Sequence, residues 1–264
     1  MLAALRYRWV QALVVTLLSA LVTGSLAFAP LYVRAVDQAV VATILDDTPA
    51  QDAGVSVVSF STSDPLLATS FEAQRDLIPA GLREVLAPGI PSVFVGVRRM
   101  PLVDQPEGRL LWREGMCEHL RFTAGRCPHV AGQVAISADQ ARAYRMSVGQ
   151  QIELGEWDAS VSRVEAAPWT SVTITGIYEA VPGPYWFGEP LTGRAAGDLG
   201  YDVMLAAQES LTGRVRAPGS GTASWTQLHY GLDLPLRTER VTADTIAGVG
   251  AVAADWVSYP MGVE

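Results

Sequence analysis

The most distinct feature in the pattern of apolar and polar positions is an uncharged stretch near the N-terminus. Residues 9–33 contain no Asp, Glu, Arg or Lys over 25 consecutive positions. A helix that crosses the hydrocarbon core of a bilayer needs about 20 residues, because each residue adds about 1.5 Å. Tyr7 and Trp9 lie at one end of the stretch and Tyr32 at the other, where amphipathic rings favour the membrane interface. The pattern therefore predicts one N-terminal transmembrane helix.

The charges that flank this helix predict its orientation. Arg6 and Arg8 precede it, whereas Arg34 is followed by Asp37 and further carboxylates. Lys and Arg are retained on the cytoplasmic side of a membrane. We therefore expect a cytoplasmic N-terminus, a single-pass anchor in the cell membrane and an extracytoplasmic main domain.

A cleaved signal peptide is the rival interpretation of the same stretch. Residues 27–29 read Ala-Phe-Ala, which fits an A-x-A cleavage site. The apolar run is longer than the ~7–15 residues of a signal-peptide core, and Pro30 would follow the cut, where a ring without an N–H fits a protease poorly. We therefore favour the uncleaved anchor, and either interpretation exports the domain. A buried core helix is a third interpretation, which the uncharged length disfavours.

Mixed helix and strand patterns follow the anchor. Helical spacing continues after Pro30 and returns over 66–86, and Ser137 with Gln140 forms a capping box that starts a short helix. Residues 217–221 predict a loop. No regular βαβ period is present, so we predict an α+β fold of mixed strands and short helices, preceded by one transmembrane α-helix. The predicted strands are 55–61, 92–100, 108–113, 148–154, 172–178, 201–206 and 225–236.

Composition excludes several classes of activity. The chain has 264 residues, a net charge of −8 and no lysine among its 19 positive side chains. An acidic chain is unsuited to nucleic acid, whose phosphates require a basic face. Without lysine, neither a P-loop nor a lysine Schiff base can form. We therefore expect no cofactor in this chain, and ATP to be hydrolysed by a partner subunit if the system uses it.

The two cysteines allow three interpretations. Cys117 and Cys127 form an even pair, which in an exported domain predicts a disulfide, with Gly125 in the turn between them. The competing interpretation is tetrahedral zinc, because His119 and His129 each follow a cysteine in a repeated C-x-H pattern, although these spacers are shorter than usual. Two free buried thiols are the third. We favour the disulfide because the expected compartment is oxidising.

Recognised catalytic motifs are absent from the sequence, so we predict that the chain is not an enzyme. Neither G-x-S-x-G nor H-E-x-x-H occurs. His229 lies within a predicted strand, where it is better interpreted as a strand residue than as a catalytic base. Together with scattered serines, it motivates an anchored hydrolase as the weakest functional hypothesis.

A loop rich in glycine and proline places Tyr185, Trp186 and Phe187 side by side. Exposed aromatic side chains favour interfaces, so this loop is a candidate anchor for a protein partner or for membrane lipid. The alternative is a loop folded over the core of the domain.

Several short segments occur in an informative order along residues 8 to about 190. They are Phe28–Val36, Gly115–Leu120, Gly125–Pro128, Gly132–Ser137, Ala141, Val148–Ile152, Thr175–Tyr178 and Pro184–Trp186. Taken together, they resemble the permease subunits of FtsX-like, MacB-type ABC transporters. The resemblance carries no catalytic motif.

This resemblance implies an organisation and a set of partners. An α+β extracytoplasmic domain, the MacB-like periplasmic core, is expected between a first and a second transmembrane helix. Residues 1–35 are then the cytoplasmic N-terminus and transmembrane helix, and residues 36–264 are the extracytoplasmic domain, which we expect to be truncated at its C-terminal end. The implied partners are a cytoplasmic ABC ATPase subunit, a second permease copy and membrane lipid.

Two functional hypotheses from different classes follow. The leading one is a permease component of an ABC transporter, which engages substrate or a partner outside the cytoplasm and is coupled through the membrane to a separate ATPase. The alternative is a single-span, membrane-anchored sensor or interaction module that acts without ATP.

Overall fold

The computed structural model describes residues 2–61, 67–99, 107–156, 169–197, 200–213, 215–216, 222–223, 225 and 228–258. The helices are α1 (Leu2–Asp47), α2 (Ala50–Ala53), α3 (Leu67–Asp76), α4 (Ala80–Arg83), α5 (Ala138–Ala143), α6 (Glu209–Thr212) and α7 (Ile246–Ser258). The strands are β1 (Val55–Ser61), β2 (Ile90–Arg99), β3 (Glu107–Arg113), β4 (Leu120–Gly125), β5 (Gln133–Ser137), β6 (Gln151–Glu156), β7 (Trp169–Ala180), β8 (Val203–Ala206), β9 (Val215–Arg216), β10 (Thr222–Ala223) and β11 (Leu228–Leu234). Short 3-10 turns lie at Met116–His119, Pro184–Trp186 and Thr238–Arg240.

Helix α1 continues for 46 residues and includes Pro30. Among the described residues it is the one helix long and apolar enough to cross a membrane, as the hydropathy pattern predicts. Two hydroxyl groups are satisfied within the helix, because Thr16 donates to the Ala12 carbonyl and Ser25 to the Leu21 carbonyl, each at 2.8 Å. Such internal pairing suits a helix in lipid, which supplies no hydrogen-bond partner.

The chain divides into two compact units. A helical unit comprises Met1–Thr48 together with Arg237–Glu264, and an α+β unit comprises Pro49–Leu236. The first boundary lies well beyond the predicted position 35, because α1 remains helical past that point. The C-terminal segment belongs with α1 and not with the α+β domain, which differs from the predicted division.

Within the helical unit, α1 binds the segment that leads into α7. The Gln38 side chain accepts a hydrogen bond from the Ala243 amide at 3.0 Å and donates one to the Val241 carbonyl at 3.4 Å. Arg34 forms an ion pair with Asp244. Gln38 thereby satisfies both a donor and an acceptor of the incoming backbone. Helix α7 is apolar and is described over 13 residues, fewer than the roughly 20 that a membrane span needs.

The α+β unit is built on one mixed sheet of nine strands. The strand order is β1-β11-β2-β3-β8-β5-β7-β4, and β6 pairs with both β2 and β7. The β3–β8 and β5–β7 pairs are parallel, and the other pairs of this sheet are antiparallel. Because β6 pairs with both β2 and β7, six strands form a closed circuit in the order β2-β3-β8-β5-β7-β6. Strands β11 and β1 extend from this circuit at β2, and β4 extends from it at β7. This arrangement of mixed strands and short helices confirms the α+β class.

A first hydrophobic cluster lies on the side of the sheet that the closed circuit encloses. Side chains of a strand alternate between its faces, so each of the six strands sends alternate residues into this cluster. Fully buried representatives, one from each strand of the circuit, are Val95, Leu110, Met204, Ile136, Ile174 and Leu154.

A second hydrophobic cluster covers the other side of β3, β8, β5 and β7. Leu111, Ala135 and Tyr178 contribute from the strands, and Trp186 and Leu191 contribute from the loop after β7. These strands are therefore buried on both faces. Strand β5 consequently has four consecutive buried residues and lacks the polar alternation by which a half-exposed strand is recognised.

The buried carboxylate of Asp202 joins the loop after β7 to the start of α5. Its Oδ1 accepts hydrogen bonds from the amides of Arg194 and Ala195, each at 2.9 Å, and its Oδ2 accepts one from the Ser137 hydroxyl. Ser137 in turn accepts from the Gln140 amide at 2.9 Å, which is one half of the predicted capping box. The other half does not form, because the fully buried Gln140 side chain has no hydrogen-bond partner in the described residues.

The structure changes the length and number of several predicted elements. The helical region 66–86 becomes α3 and α4, which are separated near Pro79, and the predicted strand 225–236 shortens to β11. Strands β4 and β5 and helix α7 are additional to the predicted elements. The predicted loop 217–221 lies outside the described residues.

A cavity substitution tests the closed circuit. Leu154 of β6 is fully buried in the first cluster, so Leu154→Ala is expected to lower the free energy of unfolding by about 2–5 kcal/mol. Urea denaturation of the full chain in detergent micelles measures this change. Val148→Ala, at an exposed position just before β6, is the control and should change stability by less than about 0.5 kcal/mol. Equal effects of the two substitutions would contradict the closed circuit.

Candidate functional site

A cleft of about 330 Å³ lies over the β1–β11–β2–β3 part of the sheet, within the α+β unit. Its floor combines residues from all four strands, because the register places Val58 opposite Gly231 and Phe94 opposite both His229 and Leu111. Its volume is at the lower end of the range of small-molecule pockets. The floor comprises Ser56, Val58, Ser92, Phe94, Arg109, Leu111, Arg113, Gly231 and Asp233, and the wall comprises Gln51, Trp186, Phe187 and Glu189.

Gly231 lies in the middle of the floor, and no side chain projects into the cleft at this position. A Cβ atom at Gly231 would stand 2.5 Å from the Ser92 hydroxyl, which itself donates a long hydrogen bond of 3.4 Å to the Gly231 carbonyl. Because real Cβ atoms do not approach a neighbour so closely, any larger residue at position 231 would displace Ser92.

A buried ion pair joins the floor of the cleft to its wall. Arg113 is 3% exposed and forms an ion pair with Asp233 of β11. The same guanidinium donates to the Tyr185 carbonyl at 2.7 Å, and its carbon atom lies 5.1 Å from the centre of the Tyr185 ring. A buried charge needs this degree of compensation, since an unpaired guanidinium would be strongly destabilising.

A second ion pair at the cleft is partly exposed. Arg109 donates to Glu189 at 2.7 Å, and their side chains are 38% and 28% exposed. The Arg109 guanidinium lies 4.6 Å from the centre of the Phe94 ring, and Phe94 stacks on His229 with ring centres 4.8 Å apart. Burial, followed by the positive charge of Arg109, lowers the pKa of His229. Arg109 and Glu189 are accessible to a ligand, whereas the side chains of Arg113 and Asp233 line the cleft but are almost fully buried.

The aromatic loop forms the wall of the cleft and covers the second hydrophobic cluster. Trp186 is buried, and its ring N–H donates to the Val181 carbonyl at 3.2 Å. Tyr185 donates its hydroxyl to the Glu114 carbonyl at 2.6 Å and stacks on His119, with ring centres 3.6 Å apart. Burial raises the pKa of Tyr185, so its hydroxyl remains a donor at neutral pH. The loop is folded over the core, and a role of its aromatic residues in binding a partner remains a prediction.

Phe187 is the aromatic residue of the loop that reaches the cleft beside α2. It adopts a left-handed backbone conformation with φ of 51°, which is unfavourable for a residue with a side chain. Gly54 provides room for its ring, because a Cβ at position 54 would stand 2.5 Å from the Phe187 Cζ atom. Gly188 likewise lies against the side chain of Gln51. Close packing between α2 and the loop therefore fixes this end of the wall.

Cys117 and Cys127 form a disulfide, with their Cα atoms 5.9 Å apart. The bond encloses β4, and Gly125 adopts φ of 69° where that strand ends, in the turn region that the sequence predicts. Both sulfur atoms are occupied by this bond, and the ring of His119 is stacked on Tyr185. In the described part of the chain, no three His, Cys, Asp or Glu side chains converge as metal ligands, so the proposed zinc set does not assemble.

A second cavity of about 240 Å³ lies next to the disulfide, in the same α+β unit. Arg113 lines this cavity as well as the cleft. The other lining residues are Trp112, Gly115, Met116, Cys117, Glu118, Pro128, His129, Ala207, Gln208 and Glu209.

The floor of the cleft was not predicted from the sequence. One signal was available, because Arg109, Leu111 and Arg113 alternate within a predicted strand and must share a face. Two arginines on one face of a strand are unusual for a core element and indicate paired charges or a ligand. The acidic partners, Glu189 and Asp233, are far away in the sequence and carry no comparable signal.

Comparison with known proteins yields similarities among solved structures only. No family model matches the sequence, and no curated protein matches it. Among solved structures, the chain is similar to the extracellular domain of the noncanonic ABC-type transporter YknZ from Gram-positive bacteria. The identity is 13%, the match covers 74% of this chain and 89% of that chain, and the TM-score is 0.31.

The lowered pKa of His229 predicts a pH-dependent stability. The folded chain favours the neutral imidazole, so stability is fully present above the unfolded pKa of about 6.5 and decreases as the pH falls from there through the folded pKa. Urea denaturation at about pH 7 and about pH 5 should therefore show a larger loss for the natural chain than for His229→Gln. Parallel losses in the two chains would contradict a partly buried imidazole that is kept neutral.

Removing the disulfide should destabilise the α+β unit moderately. The closed loop is short, so the double substitution of Cys117 and Cys127 by serine is expected to cost about 2–3 kcal/mol. Urea denaturation under oxidising conditions measures the loss, and the natural chain treated with a reductant provides an independent comparison. A difference of less than about 0.5 kcal/mol would contradict a stabilising role for the bond.

Proposed function

We propose that this chain is a permease component of an ABC transporter. In this role α1 anchors the chain in the cell membrane with a cytoplasmic N-terminus. The α+β unit lies outside the cytoplasm and engages substrate or a partner at the cleft, and a separate cytoplasmic ATPase supplies the energy. A second permease copy and membrane lipid are further partners.

The observation that carries the proposal is the order of the two units along the chain. The α+β unit, Pro49–Leu236, is inserted between two segments of the helical unit that contains α1. Both of its ends are therefore covalently joined to the membrane-associated part of the chain. A domain attached at one end can rotate about its linker, whereas a domain attached at both ends follows the movement of its two attachments. This organisation suits a domain that is driven from the membrane.

The contacts inside the helical unit support such coupling. Gln38 and Arg34 of α1 bind the backbone and side chain of residues 241–244. A shift of α1 that follows ATP binding in a partner therefore also displaces the second attachment of the α+β unit. In this scheme the chain transmits movement from the membrane to the α+β unit and performs no chemical step.

The disulfide supports an extracytoplasmic location of the α+β unit, and the sequence resemblance supports the proposed class of permease. Disulfides persist in oxidising compartments, which agrees with an exported α+β unit. The ordered segments that resemble FtsX-like, MacB-type permeases extend over both units. These 264 residues contain no lysine and cannot form a P-loop, so in this role a partner subunit hydrolyses ATP.

Purification from native membranes tests the proposal. The full chain, tagged and extracted in a mild detergent, is expected to copurify an ATPase subunit in a near-equimolar amount. Adding ATP and vanadate should change the hydrogen exchange of residues 241–245. Gln38→Leu should retain the ATPase and lose this change, because it removes both hydrogen bonds of the amide.

Thr43→Val is the control for this experiment. Thr43 also lies on α1, but within the described part of the chain its hydroxyl bonds only to the Ala39 carbonyl of the same helix, at 2.9 Å. This variant should behave as the natural chain does. Failure to recover an ATPase from the natural chain would overturn the transporter proposal.

That failure would favour a membrane-anchored sensor or interaction module that acts without ATP. The observation in its favour is that α1 is the single helix of spanning length among the described residues. In that role the cleft would bind its ligand, and the signal would leave the α+β unit through a partner protein.

A further inference from the structure

Among the described strands, the sheet of the α+β unit has two edge strands, β1 and β4. In the described residues β1 pairs only with β11, and β4 pairs only with β7. In an antiparallel pair, every second residue of the edge strand directs its N–H and C=O groups away from its partner. Both edges therefore offer unpaired backbone groups, which natural proteins usually protect from other chains.

The β4 edge is protected in several ways. Arg121 is exposed on it and forms an ion pair with Glu179 of the neighbouring strand. The pairing with β7 shifts register between Phe122 and Ala124, which interrupts the regular row of backbone groups. The disulfide also constrains the two ends of the strand. A charge and an irregularity in the pairing are among the usual devices that keep another strand from pairing.

The β1 edge has none of these protections. Its seven residues, Val55–Ser61, include no charge and no proline, and they pair with β11 in unbroken register. Ser56 and Val58 face the cleft and are exposed, with Val58 51% exposed. A regular, uncharged and β-branched edge is a ready template for a further strand.

We propose that β1 accepts an extended peptide segment of a partner protein as an additional strand, with alternate side chains of that segment entering the cleft. Backbone hydrogen bonds to β1 supply the affinity, and the cleft supplies the selectivity, as in other cases of strand addition. Peptide binding at β1 does not depend on an ATPase partner, so it and the transporter proposal succeed or fail in separate measurements.

The charges of the cleft indicate the chemistry of this segment. Arg109 is paired with Glu189 and Arg113 with Asp233, so the positive and negative side chains that line the cleft are balanced. A strongly acidic or basic segment would gain no net attraction there. Val58, Trp186 and Phe187 all line the cleft, and this apolar lining favours small apolar side chains. The segment is therefore a neutral strand with β-branched residues on the side that faces the cleft.

A designed peptide tests the proposal on the full chain in detergent micelles. The probe has the sequence Lys-Thr-Val-Thr-Val-Thr-Val-Thr-Lys, and fluorescence anisotropy measures its binding. Two further peptides carry backbone N-methyl groups, one on its valines and the other on its inner threonines. Only one of these patterns removes the donors that face β1, so one peptide should lose binding by about tenfold or more, a loss of roughly 1.4 kcal/mol, while the other retains it.

Two substitutions of the chain locate the binding edge. Val58→Lys places a charge on β1 at an exposed position and should weaken binding by about tenfold, whereas Ala124→Lys, exposed on β4, should leave it unchanged. Urea denaturation confirms that both variants are folded. The N-methylated peptides provide a test that needs no variant.

Several outcomes would overturn strand addition at β1. These are the absence of probe binding up to about 1 mM, an equal response to the two N-methylation patterns, and equal weakening by Val58→Lys and Ala124→Lys. A second copy of the chain is the other molecule that could pair with β1. Sedimentation of the chain at increasing concentration tests whether such a dimer forms. A dimer that Val58→Lys dissociates would identify a second copy as the strand that pairs with β1, and the peptide proposal would then be wrong.

Discussion

Strand β2 changes its partner along one edge, and the candidate site depends on that change. Its residues Ile90–Phe94 pair with β11, and Val97–Arg99 pair with β6, while β3 occupies the opposite edge. Because β6 continues to β7 and closes the circuit, β11 and β1 must leave the circuit as a two-stranded extension. Gln74 of α3 covers one face of this extension by donating to the Tyr230 carbonyl at 2.8 Å. Its other face remains outside the circuit and becomes the floor of the cleft.

The two ion pairs of the cleft have different physical roles, which their burial decides. Arg113 and Asp233 are almost fully buried, so removing one partner would leave the other as an unpaired buried charge, at a cost of about 3–5 kcal/mol. Arg109 and Glu189 are partly exposed, and such pairs contribute only about 0–1 kcal/mol. The first pair therefore belongs to the framework, because it also binds the backbone of the wall. The second can exchange its partner for a polar group of a ligand at little cost.

Features that depend on local sequence could be predicted. The uncharged stretch predicts α1, the β-branched run predicts β1, and the position of Ser137 predicts the start of α5. These features follow from hydropathy, strand propensity and capping, each of which acts over a few residues. Pro79 similarly marks the interruption between α3 and α4.

Features that depend on distant pairing could not be predicted. Strand β5 is buried on both faces and therefore shows no alternation. The floor of the cleft requires β11 to lie between β1 and β2, although more than 120 residues separate β2 from β11 in the chain. The partners of Arg109 and Arg113 come from that distant strand and from the loop after β7. Nothing in a single sequence pairs residues over such distances.

The wall and the β1 side of the cleft differ in how firmly they are held. Tyr185 bonds to Arg113 and Glu114 and stacks on His119, and Trp186 is buried in the second cluster. The wall therefore cannot move outward without breaking a buried ion-pair network. On the opposite side, β1 is held by β11 alone among the described strands, and its cleft-facing side chains are exposed. A ligand thus meets a rigid wall and an open strand edge, so the cleft is best entered along β1, where backbone pairing and side-chain burial can occur together.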